Sequence, residues 1–101
     1  VTVYKTPYEQ FGVALDFAAD VGEGNRVASI TLVSATNLLT KADSSAEVIA
    51  PDPEPAITSS GTAVAFEVMG GVVGETHTIS VQIVSSLGEK YQGDMTLRIV
   101  A

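Results

Sequence analysis

The stretch Thr76–Ser85, THTISVQIVS, decides the reading of this chain. His77, Ile79, Val81 and Ile83 fall on one parity, and Thr76, Thr78, Ser80 and Gln82 on the other. A period of two is the β-strand period. Apolar residues on one parity alone predict a strand with one face on a core and one toward solvent. The pattern recurs on both sides. Upstream, Thr62–Met69 sets Val64, Phe66 and Val68 against Ala65 and Glu67. Downstream, Tyr91–Val100 puts Tyr91, Met95, Leu97 and Ile99 inward and Gln92, Asp94, Thr96 and Arg98 outward. Gly93 interrupts that apolar set, where a bulge is expected. The links Gly70-Gly71-Val72-Val73-Gly74-Glu75 and Ser86-Leu87-Gly88-Glu89 read as turns, so three successive antiparallel strands are expected.

Toward the N-terminus the signal loosens. Val27–Ser34 reads as a strand with Ala28, Ile30 and Leu32 inward, entered through the turn Gly22-Glu23-Gly24-Asn25. Short strands are expected around Leu38–Leu39, Val48–Ala50 and Ala56–Ser59. Pro51, Pro53 and Pro55 mark a loop or irregular edge, because proline lacks the ladder donor. Residues 6–21 support two readings. Thr6-Pro7-Tyr8-Glu9 has the form of a capping box, and Tyr8, Phe11, Leu15 and Ala18 recur at helical spacing. Phe11, Val13, Leu15 and Phe17 alternate as a strand would. The all-β pattern that follows favours a strand over Gly12–Phe17 and a turn through Ala18–Val21.

About seven strands result, and a single sheet cannot cover the apolar parities of Phe66, Ile79, Val81, Ile83, Leu97 and Ile99. The expected architecture is an all-β, immunoglobulin-like antiparallel two-sheet sandwich, one domain over residues 1–101. At 101 residues and 46% hydrophobic, the chain can bury a core without metal or disulfide staples. The first residue is Val1 rather than Met, which leaves a trimmed chain and a piece of a longer protein as alternatives.

Composition excludes several function classes. With no cysteine and one histidine, disulfide frameworks, thiol nucleophiles and zinc sites built on Cys or several His are ruled out. Twelve acids oppose five bases, for a net charge of -7. The bases Lys5, Arg26, Lys41, Lys90 and Arg98 are scattered, which argues against nucleic acid and anionic membranes. Gly22-x-Gly24 lacks the third glycine of a dinucleotide loop. Gly70-Gly71-x-x-Gly74 lacks the Lys and Ser/Thr of a phosphate loop. No G-x-S-x-G elbow frames a serine, and His77 reads as a rim residue using one ring nitrogen in a hydrogen bond. Asp16, Asp20 and Glu23 are the candidates for a calcium site between loops, although EF-hand spacing is absent. The plainer reading of Asp16 is a carboxylate accepting backbone hydrogen bonds at a strand end. No residue is assigned a catalytic role.

One resemblance adds to this reading. Gly70-Gly71-Val72-Val73-Gly74-Glu75-Thr76-His77-Thr78-Ile79, Ser85-Ser86-Leu87-Gly88 and Leu97-Arg98-Ile99-Val100 match a recurring turn–strand–turn–strand ending. Asp16-Phe17, Asp20 and Gly24 through Val27-Ala28-Ser29-Ile30 match its early part. In these features the chain resembles small immunoglobulin-like structural proteins encoded in tailed-bacteriophage and prophage gene clusters. Residues from about Ala35 to Ser60 contribute nothing to the likeness, and the Trp that often accompanies the early segment is missing. The resemblance implies a non-enzymatic virion protein acting near the tail or head–tail junction through protein contacts, with no cofactor. It would reside in the virion or, during assembly, in the host cytoplasm. Loop positions Asp52, Glu54, Val72, Glu75, Glu89 and Lys90 are the interaction candidates, with other virion proteins or further copies of the chain as partners. The alternatives are an extracellular carbohydrate-binding or adhesion module, with or without calcium, and an accessory domain of a larger surface protein.

Overall fold

The computed structural model describes residues 2–101; the reading of Val1 lies outside the described residues. Seven strands run in the order β1 (Thr2–Lys5), β2 (Phe11–Asp16), β3 (Val27–Asn37), β4 (Ala56–Ile57), β5 (Ala63–Val68), β6 (Thr76–Ser85) and β7 (Lys90–Ile99). Two single-turn helices, α1 (Ala18–Val21) and α2 (Ser45–Val48), sit in the β2–β3 and β3–β4 connections. The strands form a four-stranded sheet, β1-β7-β6-β3, and a three-stranded sheet, β2-β5-β4. Every pair is antiparallel except β1 with β7. In immunoglobulin terms β2-β5-β4 is a B-E-D sheet, and β7-β6-β3 is a G-F-C sheet.

The alternation in Thr76–Ser85 holds: His77, Ile79, Val81 and Ile83 are buried and the intervening residues are not. Val64, Phe66 and Val68 from the opposite sheet join Ile79, Val81, Ile83, Leu97 and Ile99 in one core cluster. Each such side chain contributes about 1.5–3 kcal/mol on full burial. The sandwich forms because neither sheet has another place to put these faces.

The looser segments differ from expectation, each for a local reason. β1 has no counterpart in the pattern reading, because four residues carry too short a period. β2 is a strand as expected, shifted one residue toward the N-terminus, and Ala18–Val21 coils into a helical turn. Half of the capping box is present without a helix: Thr6 N–H donates to Glu9 Oε1 at 2.7 Å, while Glu9 N–H donates to the Thr6 backbone carbonyl at 3.2 Å rather than to its hydroxyl, closing a turn. β3 runs longer than expected, and Ala28 and Leu32 do not face inward. Register shifts at Val27/Ser29 and Ile30/Leu32 carry the inward set from Val27 to Ile30 to Val33, then to Ala35 and Asn37. These pair with the buried side of β6: Val27 with Ser85, Ile30 with Ile83, Val33 with Val81, Ala35 with Ile79, Asn37 with His77. Each extra residue flips the parity, so strict alternation misassigns the middle of the strand.

Leu38 and Leu39 lie in a turn, not a strand. Val48 ends α2, and Ile49 contributes a single bridge to Val68. Gly93 is not a bulge, since β6 and β7 pair in unbroken register and Gly93 stands opposite Val81. A Cβ there would lie 2.7 Å from Leu15 Cδ2 and 3.2 Å from the Phe17 ring, so the glycine marks a close approach of the opposite sheet.

Candidate protein-contact surface

The connections β1–β2, β3–β4 and β5–β6 gather at one end of the sandwich. Leu38 N–H donates to Thr76 O at 2.9 Å, Gly74 N–H to Ile99 O at 2.9 Å, and Val100 N–H to Lys5 O at 2.8 Å. The Lys5 ammonium donates to Thr6 O and to Gly70 O. Gly70, at φ +56°, packs so close to α2 that a Cβ would lie 2.6 Å from Glu47 O. That contact explains the need for glycine there.

Side chains then lock two of these turns together. Asn37, the last residue of β3, accepts at Oδ1 from Leu39 N–H at 2.9 Å and donates from Nδ2 to Glu75 Oε2 at 2.9 Å. Glu75 Oε1 accepts from Val72 N–H at 2.8 Å and meets His77 Nε2 at 3.2 Å. His77 Nδ1 lies 2.7 Å from Ser44 Oγ, at the start of α2. The Leu38–Leu39 turn and the Val72–Val73 turn are therefore two hydrogen-bonded side chains apart. Both expose their hydrophobic groups: Leu39 is 83% and Val72 65% exposed, and Leu38, Val73, Val100 and Tyr8 are open to solvent at the same end. The opposite end, built from the β2–β3, β4–β5 and β6–β7 connections, exposes Leu87 among large apolar side chains. Exposed apolar side chains carried on turns that are held in one shape suit a docking surface.

Two titratable groups at this end depart from their ordinary values. Lys5 is 1% exposed, and desolvation lowers its ammonium below the ordinary lysine value of 10.5, with Glu9 acting in the opposite sense. Glu75 is held below the usual carboxylate range, chiefly by the Val72 N–H, with His77 and Asn37 adding to it and desolvation opposing.

Ser44, His77 and Glu75 are residue types that build nucleophilic triads. Their burial argues for a structural role. His77 is 0% and Ser44 2% exposed, so a substrate carbonyl has no approach to Ser44 Oγ. His77 is thus an interior residue with both ring nitrogens engaged, rather than a rim residue using one.

The predicted site residues separate. Asp16 Oδ1 accepts from Ala18 N–H at 2.8 Å, the strand-end role expected of it. Asp16, Asp20 and Glu23 form no metal-binding group, and no cluster of three His, Cys, Asp or Glu suited to a metal occurs among the described residues. Asp52 lies in the proline loop, and Glu54 lines a shallow cleft with Gly12, Pro53, Ala56, Ala65 and Glu67 on the outside of the three-stranded sheet. Glu89 accepts from Tyr91 OH at 3.0 Å at the far end, and Lys90 borders a cleft with Thr31, Gln82, Tyr91 and Gln92. Asp52 and Glu54 belong to the β3–β4 connection, but of the interaction candidates only Val72 and Glu75 take part in the paired turns, Val72 as surface and Glu75 as the bond that shapes them. Leu38, Leu39, Asn37, Ser44 and Lys5 were not among the sequence candidates. The adjacent pair Leu38-Leu39, which breaks alternation directly after an Asn, was the available signal. No known family pattern matches this chain, and no curated protein matches its sequence.

Proposed function

We propose that this domain is a structural or assembly module of a phage or prophage particle, working through protein–protein contact at the apolar loop end. The observation that carries the contact role is the pairing of the Leu38–Leu39 and Val72–Val73 turns through Asn37 and Glu75. That staple fixes exposed apolar side chains before any partner arrives, which lowers the ordering cost of association. The particle assignment is supported by the resemblance of the turn and strand signals at Gly70–Ile79, Ser85–Gly88 and Leu97–Val100. The acidic charge of -7 favours protein partners over nucleic acid inside such a particle.

The experiment is prophage induction in the source strain, gradient purification of particles, and mass spectrometry of the particle band. The chain is expected to band with the particles at a fixed ratio to their main proteins. Its presence only in the soluble fraction would refute the particle assignment.

A further inference from the structure

The three-stranded sheet is open along β2. Immunoglobulin sandwiches place a strand A beside this position. Here β1 pairs with β7 in the other sheet, and among the described residues no strand stands beside β2. Phe17 N–H donates to Thr62 O at 2.8 Å, one step beyond the end of the β2–β5 ladder. Strand alternation then directs the main-chain groups of Phe11, Val13 and Leu15 toward β5, and those of Gly12, Ala14 and Asp16 toward the open edge. The inward side chains are half-covered as well. Phe11, Val13 and Leu15 remain partly exposed, whereas Val68, Phe66 and Val64 opposite them are buried.

The other edges carry protection of the kind that prevents strand addition. On β3, Ser44 N–H donates to Ala35 O and Asn37 N–H to Ala42 O, and the remainder holds two register shifts. β4 has 2 residues. β1 has 4 and ends in the buried Lys5. β2 has 6 residues in unbroken register, with neither proline nor lysine.

Charge selects the occupant. β2, β4 and β5 contain Asp16 and Glu67 and no Lys or Arg, and Glu9 and Asp20 flank β2 in sequence. A second copy would bring the same acids and another -7 charge to the edge, so self-pairing is disfavoured.

We propose that β2 accepts an extended strand from a basic partner protein, which adds as the fourth strand of this sheet. Its apolar parity covers Phe11, Val13 and Leu15, and its Lys or Arg parity faces Asp16 and Glu67. This surface is separate from the apolar loop end, and the proposal stands or falls independently of the particle assignment.

The test uses the intact chain, labelled with nitrogen-15, and two blocked nine-residue peptides. One alternates valine with lysine, the other valine with glutamate. The lysine peptide is expected to bind saturably, shift the amides of Gly12, Ala14 and Asp16 and slow their exchange. The glutamate peptide should bind about tenfold or more weakly. Ala14→Pro should abolish binding while leaving the melting temperature close to that of the parent, because its N–H faces the open edge rather than β5. Gly12→Pro, where an added Cβ meets nothing within 4 Å, serves the same purpose if Ala14→Pro does not fold. The proposal is overturned by absence of saturable shifts on β2, by equal affinity for both peptides, or by undiminished binding to the folded proline variant. Protection of these amides by concentrated chain alone would overturn the assignment to a basic partner and give the edge to a second copy.

Discussion

Replacing Glu75 by glutamine probes the staple beneath the apolar end. The carboxylate faces donors on every side: Val72 N–H and His77 Nε2 at Oε1, and Asn37 Nδ2 at Oε2. An amide has one oxygen. If it keeps Val72 and His77, the new NH2 meets the Asn37 NH2. Asn37 cannot flip in response without losing Leu39 N–H, which its Oδ1 accepts at 2.9 Å. If the amide turns the other way, His77 can change tautomer, but Val72 N–H is left opposite a donor. Either orientation strands at least one donor, at about 1–3 kcal/mol, with the lower half of that range favoured because the Glu75 side chain is 21% exposed and water relieves part of the loss. Urea unfolding at pH 7 should show Glu75→Gln weaker by about 1–2 kcal/mol, a melting shift of roughly 5–15 °C for a domain of this size. The pH dependence has a definite sign. Glu75 is held below its usual range in the fold, so the unfolded chain binds its proton more readily, and the stabilisation is present above the ordinary glutamate value of 4.5. It is lost as pH falls from there through the depressed folded value. Glu75→Gln should therefore show a shallower acid limb than the parent. Equal stability at pH 7 with an unchanged acid limb would refute the staple.

Other substitutions test neighbouring parts of the account. Gly93→Ala would stabilise an unconstrained strand by about 0.5–1 kcal/mol. Here the contacts with Leu15 and Phe17 should reverse the sign to a net loss of roughly 1–2 kcal/mol in chemical denaturation. Carbon-13 labelling should place the Lys5 titration midpoint below 10.5, and an unshifted midpoint would mean that the ammonium is solvated. The double variant Leu39→Asp, Val72→Asp should unfold within about 0.5 kcal/mol of the parent, since both side chains are largely outside the core. A larger loss would show that they support the fold rather than a contact.

The fold was most legible where alternation is uninterrupted. Thr62–Met69 and Thr76–Ser85 carry one residue per ladder step, so parity alone assigned their buried faces. β3 resisted because its two register shifts are backbone irregularities that no side-chain type announces. Gly93 is ambiguous in sequence, for a glycine serves a bulge and a close inter-sheet contact equally well, and only the positions of Leu15 and Phe17 distinguish them. Glu9 gave a true local signal with a different outcome, a turn where a helix was an alternative. The contact surface was half legible. Val72 and Glu75 stand out in sequence as turn residues, but the partnership of Glu75 with Asn37 and His77 depends on the pairing of β3 with β6. Leu38 and Leu39 look like core material in one dimension. They are surface because β3 ends at Asn37, whose side chain is already committed to holding the turn.

The most direct test of the contact claim is incorporation into particles, comparing the folded Leu39→Asp, Val72→Asp variant with Leu87→Asp at the opposite end. The account predicts that the double variant is left out of purified particles while Leu87→Asp is incorporated like the parent. Equal incorporation of both, or selective loss of Leu87→Asp, would contradict it and move the contact away from the Asn37–Glu75 end.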